Sequence, residues 1–174
     1  MQRNKKFPDL VILSNNHNMK KILIATLLPV LFLSCLKSNN SPTCSDVPPS
    51  EEVATIQAYC TTNGINYLVD SSGIYYEILD PGDATKPTIN STISTTYVGK
   101  LLNGTIVDQR TTTPYTAQLS ALIAAWQIGL KKIGKGGHIK MVAPSSLCYG
   151  CYGVPPNVPS NAILYFDITL VDVQ

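Results

Sequence analysis

The sequence predicts an α+β domain in which four or five antiparallel strands curl over one short core helix. Three observations lead there. Residues 119–137, which hold the only tryptophan of the 174 residues, are apolar at helical spacing. Segments on both sides of that stretch alternate apolar and polar residues with the period of a strand. The chain is 44% hydrophobic and 14% charged with no visible internal repeat, which suits a single folded core with an appendage.

In the central stretch Leu119, Leu122, Ile123, Trp126 and Leu130 fall at i, i+3, i+4, i+7 and i+11, one face of about three helical turns. That face is expected to be buried. Gly134, Gly136 and Gly137 then end the helix. Periodicity alone reads Trp126 as a residue that fills the core.

From the N-terminus, residues 1–34 are expected to be an upstream extension and a signal peptide. Met19-Lys20-Lys21 precedes ILIATLLPVLFLSC, an apolar run too short to span a bilayer comfortably. It ends at Phe32-Leu33-Ser34-Cys35, which resembles a bacterial lipobox, so Cys35 is the expected lipidation site; an ordinary secretory leader with a bystander cysteine is the alternative. Residues 1–18 are polar and precede a natural start at Met19. Acyl chains on Cys35 would anchor the protein to a membrane. Residues 35–50, rich in Ser, Asn and Pro, read as a flexible tether. No acidic cluster follows Cys35, which favours an outer-membrane position facing the periplasm.

Charge excludes one class of partner. The first 34 residues hold five Lys/Arg and one Asp, which leaves eight Lys/Arg against ten Asp/Glu in the remainder. With no basic stripe, nucleic acid is not an expected partner.

Residues 51–87 are expected to form an N-terminal helix and a lead-in strand. Ser50-Glu51-Glu52 looks like a helix start, Val53, Ile56, Tyr59 and Cys60 supply an apolar face, and Asn63-Gly64 closes it near Thr62. Ile74, Tyr76 and Ile78 then alternate with Tyr75 and Glu77 until Asp80-Pro81-Gly82-Asp83. Residues 88–174 carry the rest. A strand over 92–101 puts Ile93, Thr95 and Tyr97 on one face, Asn103-Gly104 turns, and 105–108 continue as a strand. Beyond the helix, Ile139, Met141 and Ala143 alternate with His138, Lys140 and Val142 up to Pro144. Residues 145–161 form a long loop, a length that is usually functional. The last strand, 163–173, turns Leu164, Phe166, Ile168 and Leu170 inward and Tyr165, Asp167 and Thr169 outward.

In order, Thr96-Tyr97-Val98-Gly99-Lys100-Leu101, Asn103-Gly104, Val107-Asp108, Pro114-Tyr115, Leu122-Ile123, Trp126, Gly129-Leu130, Gly136-Gly137, Pro144, Tyr149-Gly150, Val158-Pro159, Asn161-Ala162 and Leu164-Tyr165-Phe166-Asp167 resemble the FKBP-type peptidyl-prolyl isomerases. The resemblance runs over residues 88–174, and the lipobox and preceding helix look like the family's lipoprotein subgroup in Bacteroidetes-like bacteria. It implies a five-stranded antiparallel half-barrel sheet wrapped around one short helix, with an apolar pocket between them for a proline ring. Trp126 would be the floor of that pocket, Tyr97, Tyr115 and Phe166 its aromatic walls, and Leu122, Ile123 and Val158 its rim. The N–H of Ile123 and the hydroxyl of Tyr149 would hold substrate carbonyls, with Asp108 beside the reacting bond. Tyr97, Asp108, Tyr149 and Phe166 are thus the candidate catalytic residues. Proline-containing exported polypeptides are the implied substrates, and the family's macrolide inhibitors implied ligands.

These residue types suit the reaction. Rotation about an X–Pro bond faces a barrier of about 18–20 kcal/mol because the twisting amide loses resonance. No covalent bond is made or broken, so no metal, cofactor or nucleophile is expected; a dry pocket that binds the twisted amide better than either planar form suffices. The chain departs from the family where Val107 replaces a phenylalanine wall, Gln109-Arg110 replaces serines and Tyr115 stands for phenylalanine. Val107 predicts a weaker isomerase and leaves open a proline-directed binding or chaperone module with little turnover. Plainer roles also stay open: Asp108 as a turn cap and Tyr149 as an internally bonded loop residue.

With Cys35 lipidated, an even number of cysteines remains, which in an oxidising compartment suggests pairing Cys44 with Cys60 and Cys148 with Cys151. Cys148-Tyr149-Gly150-Cys151 also fits the C-x-x-C redox motif, but Gly153-Val154-Pro155-Pro156 follows instead of a helix. His138 is outward on its strand, and no histidine cluster suggests a metal site.

Overall fold

A computed structural model describes residues 43–174, so the expected signal peptide and lipobox, with Cys35, lie outside the described residues. The first element, α1 (Pro49–Thr62), begins where Pro49 needs no N–H partner and where Glu51 and Glu52 meet the positive end of the helix dipole. It ends at Asn63, whose N–H and side-chain amide both bond to the Tyr59 carbonyl. Fourteen residues make a marginal helix alone, so docking must hold it. Ile56 and Cys60 are fully buried and pack with Ile65, Tyr75 and Val142.

The strands are β1 (Leu68–Val69), β2 (Tyr75–Asp80), β3 (Thr92–Leu101), β4 (Ile106–Gln118), β5 (His138–Ala143) and β6 (Leu164–Val173). They form one antiparallel sheet in the order β1-β2-β5-β6-β3-β4. The expected count of five is corrected to six, because the two-residue β1 adds a short edge to β2. Since β1 and β2 precede residue 88 and join β5 in the same sheet, the lead-in segment and the rest share one sheet.

In β3 and β6 the alternation predicts the faces well: Ile93, Thr95, Tyr97, Leu164, Phe166, Ile168 and Leu170 are buried and their neighbours partly exposed. In β5 it does not. Ile139, Met141 and Ala143 join the main core, while Val142 on the opposite face is equally buried beneath α1. A strand covered on both faces loses its period. Strand β4 runs ten residues beyond the expected end at Asp108. It is an edge strand, and its exposed, threonine-rich course and Pro114 are tolerated there because one side of its backbone needs no ladder partner.

The central helix is also corrected. Instead of about three continuous turns, a 3-10 turn (Leu119–Ala121) leads to extended backbone at Leu122 and Ile123, then to α2 (Ala124–Gly129) and a second 3-10 turn (Leu130–Lys132). Leu119 and Leu130 remain fully buried at the two ends. The amide of Gln127 spans the break, donating to the carbonyls of Leu122 (2.7 Å) and Ser120 (3.3 Å). Gly129 lets α2 lie directly on β5, because a Cβ there would overlap Sδ of Met141.

Two long-range ties secure the periphery. Lys132 pairs with Asp70 at 2.6 Å and lies 4.6 Å over the Tyr76 ring. Cys44 is bonded to Cys151, 107 residues away, and Cys60 and Cys148 are unpaired among the described residues. The expected pairs Cys44–Cys60 and Cys148–Cys151 are therefore both replaced. Cys60 faces inward from α1 into its cluster, whereas residues 44–46 lie against the loop after β5, where Asp46 accepts the Cys151 N–H at 2.8 Å.

Non-reducing peptide mapping should recover a Cys44–Cys151 crosslink, and breaking it should cost about 2–4 kcal/mol in urea unfolding; a Cys148–Cys151 peptide would contradict the fold. Acid unfolding tests the other tie. The hydrogen bond from Lys132, with that from the Ser72 N–H, lowers the Asp70 carboxyl from 3.8 to about 2. Its ionised form therefore favours the folded state: the contribution is present above pH 3.8 and lost as pH falls through about 2. Asp70→Asn should flatten the stability curve in that window and leave its shape near neutrality unchanged.

Candidate active site

The concave face of the sheet and the broken helix enclose a cleft of about 340 Å³. Trp126 forms its base. Its ring is only 5% exposed and meets Tyr97 edge-on at 4.8 Å and 85°, and Phe166 at 5.8 Å and 88°. Edge-to-face packing places positive ring edges against negative faces and fixes the rings relative to one another. Tyr97 and Phe166 reach the cleft because both occupy the inward phase of β3 and β6. Phe166 lies over Gly99, where a Cβ would come within 3.2 Å of its ring. Any larger residue would push that wall inward.

Across the cleft Tyr115 stands 6.4 Å from Tyr97, and Val107, Leu122 and Ile123 complete the apolar lining. Val158 is buried in the core, outside the residues that line the cleft. Ile123 owes its position to the helix break. In a continuous helix its N–H would bond to the Leu119 carbonyl; here it has no partner among the described residues. The indole N–H of Trp126 is likewise buried without one. An apolar cleft thus carries donors left open by its own backbone and floor.

The polar groups gather at one side. The Tyr97 hydroxyl donates to the Asp108 carboxylate at 2.6 Å. Burial first, and then that carboxylate, push the Tyr97 phenol well above its ordinary range, an effect the Arg110 charge partly offsets. Burial, followed by Cys148, Asp108 and Tyr115, raises Tyr149. Both phenols are therefore protonated donors at neutral pH. Tyr149 is 39% exposed.

The loop carrying Tyr149 is held from outside the cleft. Glu52, only 6% exposed, accepts the Ser145 N–H at 2.8 Å, and the Cys44–Cys151 bond with Asp46 fixes the far side of Tyr149. Sequence reading missed Asp46 and Glu52 because their partners lie 105 and 93 residues away. It also missed Ala121, Leu164 and Arg110 as lining; for Arg110, the two-residue period counted from Asp108 was an available signal. The C-x-x-C stretch is not a redox pair. Cys151 is bonded to Cys44, and burial, with Glu52 nearby, pushes the Cys148 thiol up to about 12, so little thiolate exists at neutral pH.

Comparison with known proteins agrees with this geometry. The family profile described as FKBP-type peptidyl-prolyl cis-trans isomerase matches residues 83–171, just over half of the chain. The isomerase FkpA of Escherichia coli is 39% identical over 106 residues, covering 60% of this chain and 39% of FkpA. The isomerase Mip of Coxiella burnetii is 31% identical over 124 residues, or 68% of this chain and 53% of Mip. The chain thus spans about four-tenths to half the length of these two relatives. The crystal structure of Escherichia coli FkpA superposes with a TM-score of 0.64 and 33% identity, covering 72% of this chain and 61% of that one. A peptidyl-prolyl isomerase structure from Pseudomonas syringae pv. tomato gives 0.62 and 27%, covering 75% and 98%. The match takes in every residue that lines the cleft, the tryptophan at its base included, and the chain belongs to the FKBP-type peptidyl-prolyl cis-trans isomerase family.

Proposed function

We propose that the chain is a prolyl isomerase that assists the folding of exported proteins, acting without covalent chemistry. The observation that carries this reading is the Trp126 floor, buried and met edge-on by Tyr97 and Phe166 at the base of an apolar cleft. A proline ring is compact, apolar and without an N–H, so it can enter such a site with no unmet donor of its own. The Ile123 N–H and the Tyr149 hydroxyl would take the substrate's carbonyls. Removing the amide from water and binding the twisted form preferentially lowers the barrier, tenfold in rate for each ~1.4 kcal/mol.

Val107 supports the rival reading, a proline-binding module with little turnover, because a smaller wall grips the reacting bond less. Lipidation at Cys35 and a periplasm-facing outer-membrane position are part of the proposal. They rest on the Leu33-Ser34-Cys35 pattern and the tether behind it, and they fit a lipoprotein subgroup of Bacteroidetes-like bacteria.

A soluble fragment from residue 43 should accelerate cis-trans exchange in a proline peptide, and a macrolide of the family should inhibit it. Val107→Phe should raise kcat/KM several-fold, roughly the effect of 1 kcal/mol. A rate equal to the uncatalysed control, with peptide binding still visible in Trp126 fluorescence, would favour the binding module. For the anchor, cells fed labelled fatty acid should incorporate it into the full chain and not into Cys35→Ser; equal labelling of the two would sink the lipoprotein reading.

A further inference from the structure

We propose that Arg110 makes the cleft selective for proline peptides that carry a carboxylate on the residue before the proline. Arg110 is directly opposite Tyr97 in the β3–β4 ladder, and Asp108 is opposite Gly99, so Arg110 and Asp108 share the strand face turned to the cleft. Both line it. Asp108 is already engaged by the Tyr97 hydroxyl. The Arg110 guanidinium has no ion pair and no hydrogen bond among the described residues; the pairs present there involve Lys132, Lys135 and His138. The remainder of the lining is apolar or phenolic. An incoming carboxylate therefore meets a solvent-exposed cation that need not give up another partner among the described residues, so the attraction is that of an accessible ion pair and is weakened by salt.

The inference rests on the isomerase reading, which sets the proline ring on Trp126 and the reacting bond beside Asp108. The residue before the proline supplies the carbonyl of that bond, so its side chain leaves from the Asp108 end of the cleft, where Arg110 stands two residues farther along the strand. The planar, five-donor guanidinium can meet a carboxylate with two parallel hydrogen bonds. A serine at this position, the residue usual in the family, would offer no charge.

The test compares four peptides identical except for Glu, Gln, Leu or Lys before the proline, with the wild-type fragment, Arg110→Gln and Arg110→Lys. For the wild type the Glu/Gln ratio of kcat/KM should be roughly 2- to 5-fold at low ionic strength, the size expected of a solvent-accessible ion pair. It should fall to about one in Arg110→Gln and in high salt, and stay above one in Arg110→Lys, which keeps the charge. The same ratio in wild type and Arg110→Gln, or a ratio of one in Arg110→Lys, would overturn the inference. If no peptide is accelerated, the isomerase reading fails instead. Selectivity is then read from Trp126 fluorescence titrations, where equal affinity for the Glu and Gln peptides would overturn it.

Discussion

Burial of the Trp126 indole between β3 and β6 is the constraint from which the cleft follows. A six-residue helix has no stability of its own, so α2 exists because its surroundings hold it. Leu119 and Leu130 are fully buried on either side of it, each contributing about 1.5–3 kcal/mol. Gly129 lets the helix backbone close onto Met141. These terms outweigh the few tenths of a kcal/mol per residue that helix propensity would offer a continuous run through Leu122 and Ile123. The packing that sets the floor therefore also breaks the helix, and the break releases the Ile123 N–H.

A second set of constraints comes from residues ahead of the family match. Cys44, Asp46 and Glu52 converge on the loop that carries Tyr149, through a disulfide and two hydrogen bonds to backbone N–H groups. A buried carboxylate without a partner is costly, so the Glu52 contact fixes α1 and the loop together. The loop between β5 and β6 is thus tied at Ser145 and at Cys151, on both sides of Tyr149. The N-terminal segment acts on the site by limiting where that phenol can go.

The chemistry available in the cleft is that of shape and hydrogen bonding. The phenols of Tyr97 and Tyr149 are held protonated by burial and by Asp108, and the nearby Cys148 thiol, unpaired among the described residues, is pushed far from its reactive form. Strand β4 supplies the cleft's two charged residues: Asp108, which accepts from Tyr97, and Arg110, beside Val107 in a lining that is otherwise apolar or phenolic. Val107 is only partly buried against the core cluster of which Trp126 is a buried member, and Arg110 lies outside it.

The sequence by itself determined the sheet-over-helix class, the course of β3 and β6, and the aromatic residues that meet around Trp126. These were legible because a strand with one buried face writes its orientation as a period of two, and the ordered motifs between Tyr97 and Phe166 are local. It did not reveal the double burial of β5, because α1 covers Val142 from the far side, nor the length of β4, whose polar edge carries no period. Helical spacing reports which residues are buried and is blind to whether the hydrogen-bond ladder between them is continuous, so the break at Ile123 stayed hidden. The partner of Cys44 was equally beyond reach, because four cysteines allow three pairings. The folded chain adopts none of the three in full: it brings residues 44–46 against the loop at Cys151 and joins Cys44 to Cys151, with Cys60 and Cys148 unpaired among the described residues.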